Sequence, residues 1–167
     1  MRRSRAVEVS PELMTSILVA GIGNIFFSDD GFGPEVVRRL APDPGPGVRA
    51  VDYGIRGMHL AYDLLDHDGP LVIVDAVPGP GEPGTIRVLA VGPEDLGTGE
   101  FDAHGMNPVA VLANLDVLGG TLPPTYVVGC IPRSVEEGMG LSDPVAEAVE
   151  AGVAAVRQLV ADLRVEA

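Results

Sequence analysis

The chain has 167 residues, enough for one domain with a core of its own. Hydrophobic residues make up 46% and aromatics only 4%, which argues against disorder and implies a core built from Val, Leu, Ile and Ala. With 24 acidic residues against 11 basic ones, the formal charge of −13 repels phosphate backbones, which speaks against nucleic acid as a partner but tolerates a cation.

Residues 1–15 carry Arg2, Arg3 and Arg5 with no apolar signal core behind them. They are expected to form a flexible N-terminal extension, and the folded domain is expected over 16–167. Ile17–Ile22 is a continuous apolar run, as a strand buried on both faces requires. Gly33–Leu40 reads as a helix with Pro34 in its first turn, where a missing N–H is harmless. After a proline–glycine turn, Val48–Val51 reads as a second strand closed by Asp52. Met58–Leu65 reads as a helix with Leu60, Leu64 and Leu65 on one face.

Leu71–Val74 is the strongest strand signal, with Asp75 at its end. Residues 77–84 form a long turn, and Thr85–Val91 is expected as an edge strand. Residues 92–106 are expected to be loop, and Asn107-Pro108 to open a helix running to about Leu118. Thr125–Ile131 is the last strand, and Cys130 within it reads as a core residue. The final helix is expected from Ser142-Asp-Pro144, with Ser142 as N-cap. Its apolar stripe is Val145, Val149, Val153, Val156, Leu159, Val160 and Leu163. This alternation predicts a single doubly wound α/β domain: a mostly parallel twisted sheet of about five strands with helices on both faces.

A single cysteine excludes an internal disulfide and a multi-cysteine zinc site, and fits a cytoplasmic setting. No apolar run approaches the roughly 20 residues of a membrane span. Gly21-x-Gly23 begins like a dinucleotide fingerprint, but Phe26 stands at the third glycine position and Asp29-Asp30 stand where a pyrophosphate would lie. No phosphate-binding G-K-[ST] occurs, so no nucleotide cofactor is expected.

In an open α/β sheet, loops at the carboxyl ends of the strands converge on one crevice. Asp29 and Asp30 follow the first strand, Asp52 the second and Asp75 the third, and His104 lies in a later loop. Carboxylates and an imidazole delivered by separate loops suit a divalent cation with open coordination positions. Asp29 reads more readily as a cap of the following helix, whereas Asp30 reads as an arm of the site. Asp75 closes the most apolar strand, where a carboxylate is costly unless paired or liganded. His59 and His67 read as helix surface, Asp63, Asp66 and Asp68 as a solvated face, and Glu136-Glu137 as a polar turn. No H-E-x-x-H or G-x-S-x-G motif occurs.

The ordered set Gly21-x-Gly23-Asn24, Asp29-Asp30-Gly31-x-Gly33, Val74-Asp75-Ala76 and loop His104 resembles the hydrogenase maturation proteases. The glycine-bearing stretch Asp52–Met58 and Gly129-Cys-Ile-Pro-Arg-Ser134 resemble further segments of that family, so the similarity spans roughly residues 16–163. The resemblance implies an aspartic-type endopeptidase that removes the C-terminal extension of a nickel–iron hydrogenase large-subunit precursor after nickel insertion. It implies Asp30, Asp75 and His104 as the metal-contacting and catalytic residues. Asp30 takes a position that is Glu in some relatives, which shortens the reach by one methylene. Nickel would be presented by the substrate, and a hydrogenase assembly chaperone would be a further partner. The ion could polarise the scissile carbonyl, or Asp30 or Asp75 could act as general base. The alternative is a non-catalytic metal-sensing chaperone or binding module for the precursor.

Overall fold

The computed structural model describes residues 16–92 and 115–165. Its five strands are β1 (Ile17–Ile22), β2 (Val48–Gly54), β3 (Leu71–Ala76), β4 (Ile86–Val91) and β5 (Thr125–Cys130), in the sheet order β2-β1-β3-β5-β4. β1 pairs in parallel with β2 and β3, and β3 in parallel with β5. Only residues 77–85 join β3 to β4, too few for a crossover helix. β4 therefore runs back as an antiparallel edge strand against β5, which inserts between them.

The described helices are α1 (Phe32–Leu40), α2 (Gly57–Leu65) and α3 (Asp143–Val165), and residues 115–117 are also helical. α1 and α3 cover one face of the sheet. Phe32, Val36, Val149 and Val156 pack there on Ile17, Val19, Val72 and Val74. On the opposite face Leu60, Leu64 and Leu115 pack on Leu18, Ala20, Leu71 and Ile73. Each of these side chains except the small Ala20 contributes about 1.5–3 kcal/mol by leaving water. Both faces are covered, as the doubly wound reading predicts, and Cys130 is buried in the first core.

Three local expectations are corrected. Leu65 is exposed and does not join Leu60 and Leu64, because α2 ends at that residue. His67 lies beyond the end of α2, with a ring nitrogen 3.0 Å from the Pro70 carbonyl oxygen. Asp52 lies within β2, which runs on to Gly54. Its Oδ1 accepts the Gly54 N–H at 2.8 Å, holding Gly54 in a left-handed conformation (φ 54°) that only glycine adopts freely. The expected extension over 1–15, the loop after Gly92 and the start of the helix at Asn107 lie outside the described residues.

Candidate active site

The chain leaves β1 toward β2 at one edge, and β3 then takes the place on the other side of β1. Such a fork between central strands opens a crevice at their carboxyl ends. Gly23 makes the turn out of β1, with φ 144° and its N–H donated to the Gly54 carbonyl at 3.1 Å. A Cβ there would lie 1.8 Å from the Asp30 carbonyl oxygen, so the turn closes directly onto the residue it delivers. The Asn24 N–H donates to Asp30 Oδ2 at 2.7 Å, fixing the half-buried carboxylate at the crevice.

Asp75 comes from β3, continuing the row Leu71, Ile73 on one face of the strand, and is 4% exposed. Its Oδ1 accepts the N–H of Ala76 at 2.8 Å. Burial pushes its carboxyl pKa well above the ordinary 3.8, and the nearby charge of Asp30 pushes the same way, against the Ala76 hydrogen bond. A buried carboxyl beside a second carboxylate favours a proton or a cation between them. The fold therefore brings Asp30 and Asp75 together, as the sequence predicts. His104 lies outside the described residues, and among the described residues no three His, Cys, Asp or Glu side chains gather into a metal-holding group.

Asp29 departs from its expected role. Neither the 3₁₀ turn Ser28–Gly31 nor α1 receives a side-chain cap. The fully buried Asp29 carboxylate turns the other way, to the segment between β5 and α3. It accepts the N–H groups of Arg133 (2.8 Å), Ser134 (3.1 Å) and Ser142 (2.7 Å) and the Ser142 hydroxyl (2.8 Å). Burial alone would raise its pKa, but the bonds from Ser142, Ser134 and Arg133 outweigh it and hold the carboxyl below its ordinary value. Ser142 thus stands at the start of α3, its carbonyl accepting from Ala146, but spends its hydroxyl on Asp29.

Further bonds latch the same two loops. The Asp29 N–H donates to the Ser134 carbonyl, the Ser28 N–H to Gly138, the Gly138 N–H to Phe26, and the Ser28 hydroxyl to Glu136. Ser28 is held at φ 52° by these contacts, a conformation that costs a side-chain-bearing residue about 1 kcal/mol. Glu136 and Glu137 remain exposed, as the reading of a polar turn expects.

Gly33 is the other residue whose role the sequence did not disclose. A Cβ there would lie 2.1 Å from the Val74 carbonyl oxygen and 2.5 Å from that of Ile22. The first turn of α1 thus rests directly on β1 and β3. Gly33 performs the helix–sheet approach that a dinucleotide fold assigns to its third glycine.

A family model described as hydrogenase maturation protease (HycI) matches residues 34–159. The chain belongs to the hydrogenase maturation protease family. The hydrogenase 2 maturation protease of Escherichia coli is 33% identical over 157 residues, covering 89% of this chain and 90% of that protein. The solved structure of the hydrogenase maturating endopeptidase HybD from Escherichia coli is similar at 31% identity and a TM-score of 0.69, over 91% of this chain and 94% of that one. The hydrogenase 2 maturation peptidase of a Thaumarchaeota archaeon matches at 32% identity and a TM-score of 0.67, over 88% and 99%. The maturation protease described here is accordingly a hydrolase of the endopeptidase type, and the doubly wound α/β fold is the family's own. The non-catalytic alternative is set aside on that ground. No described helix is long and apolar enough to cross a membrane.

Proposed function

We propose that this chain removes the C-terminal extension of a nickel–iron hydrogenase large-subunit precursor after nickel insertion, with Asp30, Asp75 and His104 meeting the metal. The observation that carries this reading is the buried Asp75 carboxyl beside Asp30 at the fork between β1 and β3. A buried carboxyl beside a second, half-buried carboxylate is best satisfied by a cation arriving with the substrate. All-oxygen donors joined by one imidazole accept a divalent transition ion and leave coordination positions open. The set lacks a thiolate, which speaks against a tightly held structural zinc.

In this reading nickel is part of the substrate and reports that the precursor is loaded. The ion polarises a scissile carbonyl or acidifies a bound water. In the alternative scheme Asp30 or Asp75 acts as general base toward the attacking water without the ion's help, which makes the cut aspartic-type. Asp30 is oriented by the Asn24 N–H to face the same space. No nucleotide enters the scheme. The acidic composition and lone buried thiol support a cytoplasmic setting without a nucleic-acid partner, and an assembly chaperone that presents the precursor is a further partner.

The test is to mix the purified protein with nickel-loaded and nickel-free precursor and to follow the mass of the large subunit. Shortening of the loaded form alone is expected; equal cleavage of both overturns the metal check. Wild-type rates for His104→Ala and Asp75→Asn overturn the residue assignment.

A further inference from the structure

The loop that carries the chain from Gly23 to Asp29 displays three large apolar side chains in a row. Ile25, Phe26 and Phe27 are 46%, 57% and 43% exposed, and Ile55 after β2 and Met139 in the facing loop are 58% and 71% exposed. Scattered exposed apolar residues need no explanation, but a contiguous group at the mouth of a crevice marks a contact surface. The group is held rigidly. Asn24 Oδ1 accepts the Phe26 N–H at 2.9 Å, the Asn24 carbonyl accepts from Phe27, and Phe27 and Gly138 form a parallel bridge. Such a surface is ordered before any partner arrives, which lowers the entropy lost on binding.

Ile25 stands between two grooves. One, of about 440 Å³, is lined by Asn24, Phe26, Pro34, Tyr53 and Ile55. The other, of about 400 Å³, is lined by Gly31, Met139, Leu141 and Val149. The first groove reaches the site itself, because Asn24 is the residue whose N–H holds Asp30. Exposed Arg56 balances Asp52 at the first groove, so the acidic excess beside this band lies in the facing loop, where Glu136 and Glu137 outnumber Arg133. Asp52, Glu136 and Glu137 are exposed. Arg56 is turned onto the carbonyl oxygens of Asp52 and Tyr53, and Arg39 is held by Glu35 and Glu150. Arg133 is the one exposed cation in the latched loop.

We infer that this band docks the unprocessed large subunit through an apolar segment of the precursor flanked by basic residues. The inference rests on the proposed function and names how that substrate is recognised. Phe26 and Ile55 anchor the segment in the groove leading to Asp30, and Glu136 and Glu137 attract its basic flank. The apolar contacts set how long the precursor stays, and the acidic rim sets how fast it arrives and how strongly salt interferes.

Calorimetric titration of full-length unprocessed precursor into the whole chain tests this. Phe26→Ser and Ile55→Ser are each expected to weaken binding about tenfold or more, whereas Leu65→Ser, on the exposed end of α2, stays within about twofold of wild type. Added salt should weaken the wild type more than the double variant Glu136→Gln, Glu137→Gln. Melting by circular dichroism checks that the variants are folded. Binding by Phe26→Ser and Ile55→Ser within about twofold of wild type overturns the inference. So does a wild-type dimer, seen by sedimentation, that Phe26→Ser dissociates, because the band would then be covered by a second copy. A wild type that cleaves the precursor while these variants bind normally removes the docking surface and leaves the proposed function standing. A wild type that binds the precursor through Phe26 without cutting it does the reverse.

Discussion

Asp29 takes both hydrogen-bond donors of Ser142, its N–H at 2.7 Å and its hydroxyl at 2.8 Å, across 113 positions of sequence. The bond pair ties the loop that delivers Asp30 to the first residue before α3. The adjacent carboxylates of Asp29 and Asp30 therefore divide the work: one fixes the frame and the other faces the crevice.

Replacing Asp29 by Ala leaves the N–H groups of Arg133, Ser134 and Ser142 without their buried acceptor. The expected loss is about 3 kcal/mol of stability, and Asp29→Asn, which keeps one acceptor oxygen, loses less. Urea unfolding at neutral pH measures both.

Stability against pH should show two opposite contributions. Asp29 has a lowered folded pKa, so its contribution is present above pH 3.8 and is lost as pH falls through the folded value. Asp75 has a raised folded pKa, so its contribution is complete below pH 3.8 and is lost as pH rises through the folded value. In metal-free buffer, urea midpoints of Asp75→Asn should lack the decline that wild type shows above pH 3.8. Parallel pH profiles for the two proteins would contradict the burial of this carboxyl.

Gly33→Ala places a methyl group 2.1 Å from the Val74 carbonyl oxygen, a backbone atom that cannot swing aside. α1 must lift from the sheet, at an expected cost of about 3 kcal/mol or more. Because α1 follows Asp30 directly, cleavage should fall further than the loss of folded protein explains. Thermal melts paired with cleavage rates normalised to folded protein read the two effects separately.

Burial pushes the Cys130 thiol up to about 11, with the Asp29 charge adding to it. At pH 8 only roughly one thiol in a thousand is then ionised. A thiol reagent should leave the native protein unlabelled and modify it fully in denaturant. Rapid native labelling would place Cys130 outside the core.

The strands were legible because burial on both faces demands unbroken apolar runs, as in Ile17–Ile22 and Leu71–Val74. The stripe of α3 was legible from its helical spacing. Asp75 could be singled out because a carboxylate ending such a strand is expensive without a purpose. The role of Asp29 could not be read, since its partners are backbone N–H groups more than a hundred residues away that leave no mark in side-chain pattern. Gly33 was hidden for a similar reason: its meaning lies in a distance to a neighbouring strand's carbonyl. Leu65 fitted the helical face by spacing and was lost because the helix stops there. His104, singled out from its place in a later loop and from the resemblance, lies outside the described residues.

The fork between β1 and β3 also bears on how such proteins diverge. Asp75 is placed by a buried strand and Asp30 by the turn that Gly23 and the buried Asp29 lock in place, where most substitutions damage the fold. Ile25, Phe26, Ile55 and Met139 are exposed loop positions, where a substitution shifts stability by about 0.5 kcal/mol or less. Descendants of one ancestral gene can therefore vary the rim freely while the frame beneath it, locked by Asp29 and Gly33, is kept.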